Sequence, residues 1–172
     1  YEAGMFTEFM EQRAPGHTVC GDTIYKKGFL DLKKDIEARL KELDFLNDLD
    51  AYNKKADLEA MAIACDAMVI LGKRYAEKAR QMAEEETDEA KKKDLLLIAE
   101  TCDVVPAHKP ETYHQAIQMY WFVHIGVTTE LNIWDAFTPG RLDQHLNPFY
   151  ERDVENGILD RDRAQELLEY LW

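Results

Sequence analysis

The sequence predicts an all-α fold. Every periodic stretch repeats its apolar residues at spacings of three and four, and nowhere is a sustained period-two alternation bounded by turn residues. Turn chemistry at Pro15-Gly16, Thr138-Pro139-Gly140 and Asn156-Gly157 separates the periodic stretches.

A first helix is expected over Glu2 to Gln12. It ends before Pro15-Gly16, because proline lacks an amide proton and glycine tolerates the conformations that stop helices. A second helix, Leu30 to Leu43, carries Leu32, Ile36, Leu40 and Leu43 on one face with lysines and glutamates opposite, and reads as half-buried. The third, Ala51 to Glu86, is long and alanine-rich. Its centre, with Met61, Ala64, Cys65, Met68, Ile70 and Leu71, is apolar around more than one face, so deep burial is expected there.

Thr87-Asp88 offers capping oxygens to a fourth helix that extends to about Cys102, turns Leu95, Ile98 and Ala99 inward and is ended by Pro106. A fifth runs to about Thr129 with Pro110 in its first turn, where the missing amide proton costs nothing, and Glu111 near the positive end of the helix dipole. After a loop over Asn132 to Gly140 comes a short helix from Arg141 to about Tyr150. Asp160 then caps a last helix burying Ala164, Leu167, Leu168 and Leu171.

With 172 residues, 46% of them hydrophobic, the chain is long enough for one core. Acidic residues outnumber basic ones 34 to 21, and the net charge of −13 repels phosphate backbones, which argues against nucleic acid as a partner. The longest apolar run, Ala60 to Leu71, is interrupted by Asp66 and falls short of the roughly 20 residues a membrane helix requires. Cys20, Cys65 and Cys102 form neither a Cys-x-x-Cys pair nor a disulfide framework, which fits a reducing cytoplasm. The chain begins at Tyr1 without an initiator methionine and stops at Trp172 inside an amphipathic run, so it is expected to be an internal fragment.

Several residue groups invite chemical readings, each beside a plainer one. The segment Arg13 to Asp22 gathers two glycines, a proline, His17 and Cys20 into one connection. His17 suits a hydrogen bond to an anionic or hydroxylated ligand, or to a backbone carbonyl. Cys20 beside it suggests a thiolate nucleophile, but no orienting Asn or oxyanion hole accompanies it, and a buried structural cysteine is preferred for all three thiols. His108, His114, His124 and His145 lack metal-ligand spacing, since His114 and His124 fall on different helix faces. Met119-Tyr120-Trp121-Phe122, with Trp134 and Phe137, would line a pocket for a flat substrate or simply fill the core. Glu130 and Asp135 read as solvated or ion-paired, and Arg141 with Asp143 as a local salt bridge.

Four of these pieces occur together, in order and in register: Phe9 to Thr18, Val105 to Pro110, Glu111 to Phe122 and Phe137 to Gln144. Together they resemble the N-terminal half of glycyl radical enzymes, of the pyruvate formate-lyase type. The resemblance covers nearly the whole chain. Within that family, His17 to Thr23 and Glu130 to Phe137 look most like the 4-hydroxyphenylacetate decarboxylase branch.

The resemblance implies that this all-α piece, 1–172, is the helical shell of a larger α/β barrel. It implies a glycine radical installed by a separate S-adenosylmethionine-dependent iron–sulfur activase, and a thiyl radical that attacks the substrate. The reactive cysteine, its partner glutamates and the glycine loop would all lie beyond Trp172. No residue here would then be catalytic; Cys20 is not the reactive cysteine, and no metal or cofactor is held by the fragment itself.

For the decarboxylase branch the substrate would be a small aromatic carboxylate such as 4-hydroxyphenylacetate, and the products a methylarene and carbon dioxide. A small iron–sulfur subunit and a homo-oligomeric assembly would go with it. His17 and Thr138 map to residues that approach the substrate, with Phe137 and Trp134 closing the wall of a dry cavity. Alternatives are another glycyl radical lyase (a diol dehydratase, a choline C–N lyase or a formate acetyltransferase relative) and a helical interaction module without chemistry.

Overall fold

The computed structural model describes residues 20–130 and 139–171. The expected first helix and most of the 132–140 loop lie outside that range. A short 3-10 turn (Thr23–Tyr25) is followed by α1 (Phe29–Lys41), α2 (Ala51–Glu85), α3 (Glu89–Val104), α4 (Tyr113–Glu130), α5 (Leu142–Glu155) and α6 (Arg161–Leu171). No strand occurs among the described residues, as the periodicity requires.

α2 is the spine of one half, packed along both α1 and α3. Its buried positions Cys65, Val69, Gly72, Ala76, Ala79 and Ala83 are spaced alternately by four and three, so a single seam of small residues meets the neighbours. The expected deep burial of its centre is corrected: Met61 is 55% and Ile70 56% exposed. Two flanking helices bury one stripe, and the remaining apolar face of α2 has no partner among the described residues.

α4 is the hub of the other half, packing against α2, α3, α5, α6 and the 3-10 turn. It starts at Tyr113, which corrects the placement of Pro110 in its first turn. Thr112 Oγ1 accepts from the Gln115 amide at 3.2 Å, and Gln115 Oε1 accepts from the Glu111 amide at 2.8 Å. This exchange resembles a capping box and sets the start of the helix three residues beyond Pro110. The caps expected elsewhere are formed. Asp88 Oδ1 accepts from Ala90 N at 2.9 Å, and Asp160 Oδ1 from Arg163 N at 2.8 Å.

The helix expected to stop at Tyr150 continues to Glu155. The added turn is largely exposed but is anchored by one buried group: the Asp153 carboxylate, 2% exposed, accepts from the Tyr113 amide at 2.7 Å. An acceptor at this point meets the positive end of α4 and joins two helices that sequence periodicity treats separately.

The segment after α3 fastens α1 to α2. The Val105–Pro106 peptide is cis, and the Pro106 and Ala107 carbonyls accept from Phe29 N at 2.9 Å and Leu30 N at 3.1 Å at the start of α1. On its other side it crosses α2 at Gly72, where an added Cβ would lie 2.5 Å from Pro106 Cδ. Only glycine lets the two approach so closely.

Candidate functional site

His17, Trp134, Phe137 and Thr138 lie outside the described residues, as does Asp135. The chain that leaves each of their loops is described. Cys20 and Gly21 are successive left-handed residues with φ of 60° and 53°, and Cys20 O accepts from Thr23 N at 3.0 Å, turning the 13–22 connection directly into the 3-10 turn. A left-handed conformation is uncommon outside glycine, so Cys20 marks a tightly specified bend. On the other side Gly140, φ 65°, closes the Pro139-Gly140-Arg141 turn into α5, with Arg141 and Asp143 paired loosely at 3.9 Å, both exposed.

These two exits meet. Tyr25, at the end of the 3-10 turn, stacks on His145 in the first turns of α5, with ring centroids 5.2 Å apart and planes at 21°, and it also leans on Phe149 at 6.2 Å. Eight residues separate His17 from Tyr25 and seven separate Thr138 from His145, so the stack fixes the bases of both loops against one another.

The Tyr25 hydroxyl is buried without a hydrogen-bond partner among the described residues. Burial, reinforced by the nearby Tyr120 phenol, raises its pKa far above the ordinary tyrosine value, so it stays protonated and acts as a donor rather than a base. Tyr120 Oη lies 3.3 Å from His124 Nδ1, and Trp121 stacks on the same imidazole at 5.5 Å and 12°. Both phenols of this aromatic junction therefore stay protonated. The junction suits neutral hydrogen bonding and van der Waals contact rather than nucleophilic chemistry.

Other candidates separate. Among the described residues no three or more His, Cys, Asp or Glu gather for a metal ion. Cys65 and Cys102 are buried, and burial raises both thiols, Cys102 to about 11, so neither is an activated nucleophile. Cys20 is exposed, which corrects its reading as a buried structural cysteine; its bend turns the side chain out of the core. Within the aromatic run Met119 and Phe122 fill the core, whereas Trp121 is 41% exposed because it lies on the α4 face toward α6. A cleft of about 340 Å³ between α3, α4 and α6 is lined by Asp94, His114, Trp121, Arg163 and Tyr170. Its guanidinium already pairs with Asp94 at 3.2 Å and Glu166 at 2.5 Å, which leaves little positive field for an anion.

The Tyr25–His145 brace escaped sequence reasoning, because neither residue sits in a periodic pattern that links them. The one available signal was a lone aromatic in a connection rich in lysine and glycine.

The model of the family described as pyruvate formate lyase-like matches residues 1–172. The chain is 99% identical over all 172 residues to a trans-4-hydroxy-L-proline dehydratase of Clostridioides difficile, and spans 22% of that protein's length. A crystal structure of a hydroxyproline dehydratase from Clostridioides difficile with trans-4-hydroxy-L-proline bound superposes with a TM-score of 0.91, at 99% identity, with all of this chain and 22% of that one covered. A structure concerned with 1,2-propanediol dehydration in Roseburia inulinivorans matches with a TM-score of 0.81 at 35% identity, over 88% of this chain and 19% of that one.

The arylacetate decarboxylase reading is thereby overturned. The 4-hydroxyphenylacetate decarboxylase glycyl radical subunit of Clostridium scatologenes is 39% identical over only 95 residues, 55% of this chain and 10% of its own. The chain that carries the motifs suggesting that branch is 99% identical to a dehydratase, so those motifs do not single out a decarboxylase.

Proposed function

We propose, for a chain that belongs to the pyruvate formate lyase-like family, that it is one piece of a glycyl radical dehydratase that removes water from trans-4-hydroxy-L-proline. The observation that carries this reading is identity at 99% of positions along the whole chain, loops included. Pocket walls change faster than cores when substrates change, so sameness in the loops speaks for the same substrate.

In this reading the 172 residues are an internal part of the family's domain and wall one flank of its pocket, in the helical shell of the barrel. A radical formed outside them, installed by a separate activating enzyme, would supply hydrogen abstraction from the bound substrate. His17 and Thr138 donate hydrogen bonds to the polar groups of the substrate and hold the reacting C–H bond in one orientation. Phe137 and Trp134 exclude water and oxygen, which a radical site requires. The reaction is redox-neutral, with one substrate molecule giving one dehydrated product and one water.

A small polar imino acid thus replaces the aromatic carboxylate expected as partner, and the small iron–sulfur subunit tied to the decarboxylase branch drops out. Among the described residues no helix is long and apolar enough to cross a membrane. Buried, unpaired thiols at Cys65 and Cys102 agree with a reducing cytoplasm as its setting.

The test is a substrate panel offered to the complete subunit after anaerobic activation. Turnover of trans-4-hydroxy-L-proline, with no gas from 4-hydroxyphenylacetate and no turnover of 1,2-propanediol, is the expected result. Carbon dioxide released from the arylacetate, or a preference for the diol, refutes the assignment.

A further inference from the structure

We propose that Tyr25 is a positioning residue of this enzyme, whose buried hydroxyl donates a hydrogen bond to an oxygen acceptor supplied by the complete chain and so fixes the junction of the 3-10 turn with α5, from which the chain leads into both pocket loops. The inference rests on the pocket reading above for its functional half and on geometry alone for its structural half.

Three independent observations converge on this side chain. Tyr25 stands at the exit of the 13–22 loop, is 9% exposed, and its ring packs between His145 and Phe149 of the helix that leaves the 139–141 turn. Its hydroxyl is the sole buried side-chain polar atom without a partner among the described residues. A buried hydroxyl left unpaired costs about 1–3 kcal/mol, whereas phenylalanine would give the same stacking at no such cost. Tyrosine at this place therefore needs an acceptor.

Chemistry narrows what that acceptor is. The phenol is kept protonated by burial, so it donates. Tyr120, the neighbouring phenol, lies within reach of its own partner His124 at 3.3 Å. The acceptor is a carbonyl or carboxylate oxygen. One donor bonded at this junction fixes the framework from which both connections leave, and a fixed framework is what placing a small polar substrate against a radical demands.

The experiment compares the complete activated enzyme with Tyr25→Phe, which removes only the hydroxyl. His145→Phe, which keeps an aromatic ring against Tyr25, serves as the control for stacking. The expected result is a lower melting temperature for Tyr25→Phe, a KM raised about tenfold with kcat within twofold, and an unchanged yield of glycyl radical by electron paramagnetic resonance. His145→Phe retains the wild-type KM. A Tyr25→Phe enzyme that melts at or above the wild-type temperature, or that keeps the wild-type KM, overturns the proposal. Should the wild-type enzyme fail to act on trans-4-hydroxy-L-proline, the substrate assignment falls by itself. The melting comparison, which needs no substrate, still decides whether the Tyr25 hydroxyl has its acceptor.

Discussion

At the scale of single residues, the informative groups are those whose environment departs from what their type prefers. His114 faces the cleft between α3, α4 and α6, where burial and then the Arg163 charge lower its pKa below the ordinary 6.5. Its folded form resists protonation while the unfolded chain accepts a proton near pH 6.5, so the unfolded state binds more protons on the acid side. Stability is thus complete above that value and falls as the pH drops below it. Melting curves of the complete subunit between pH 5 and 7.5 are expected to show this acid-side loss, and His114→Gln is expected to shrink it. Equal slopes for both proteins would remove His114 from the account. None of this was legible in the sequence, where spacing excluded a His114–His124 metal pair but said nothing of Arg163, forty-nine residues away. Asp153 was invisible for the same reason: an acid in the last turn of a helix reads as solvated until the structure sets it under the α4 amides.

At the scale of elements, periodicity and caps carried far. Asp88 and Asp160 cap where local chemistry places them, and α1 is half-buried along the expected stripe. The start of α4 was also written in the sequence, as Thr112 and Gln115 three residues apart, but Pro110 is the more familiar start signal and drew the boundary three residues early. α2 could not be resolved this way, because alanines and methionines on several faces do not say which stripe a neighbour will claim. The contact between Gly72 and Pro106 is wholly non-local, and it holds α2 against the segment that follows α3. Gly72→Ala puts a methyl 2.5 Å from a rigid proline ring and 3.1 Å from the Val105 carbonyl. It is expected to cost about 1–3 kcal/mol of stability in the complete subunit, read by denaturant unfolding. The helix propensity gained over glycine, about 1 kcal/mol, is too small to offset that clash. Unchanged stability would mean that α2 and the 105–108 segment separate more easily than their packing indicates.

At the scale of the whole molecule, the described helices organise two loop exits rather than a finished active site. α4 sits at the centre, the 105–108 segment ties α1 to α2, and the Tyr25–His145 stack joins the exits of the 13–22 and 132–140 connections. The family was legible from motifs spread along the chain, since backbone turns and capping residues are fixed by the shared fold. The substrate was not, because the motifs that define those turns are common to lyases that act on different molecules. Identity along the full chain, rather than any one motif, is what favours the proposed dehydratase over a decarboxylase. The most direct measurement follows the oxygen. The complete, anaerobically activated subunit is given trans-4-hydroxy-L-proline carrying oxygen-18 in its ring hydroxyl, and the label is traced by mass spectrometry. The account predicts that the label leaves as water in step with product formation. Label retained in the product, or carbon dioxide released in its place, would contradict it.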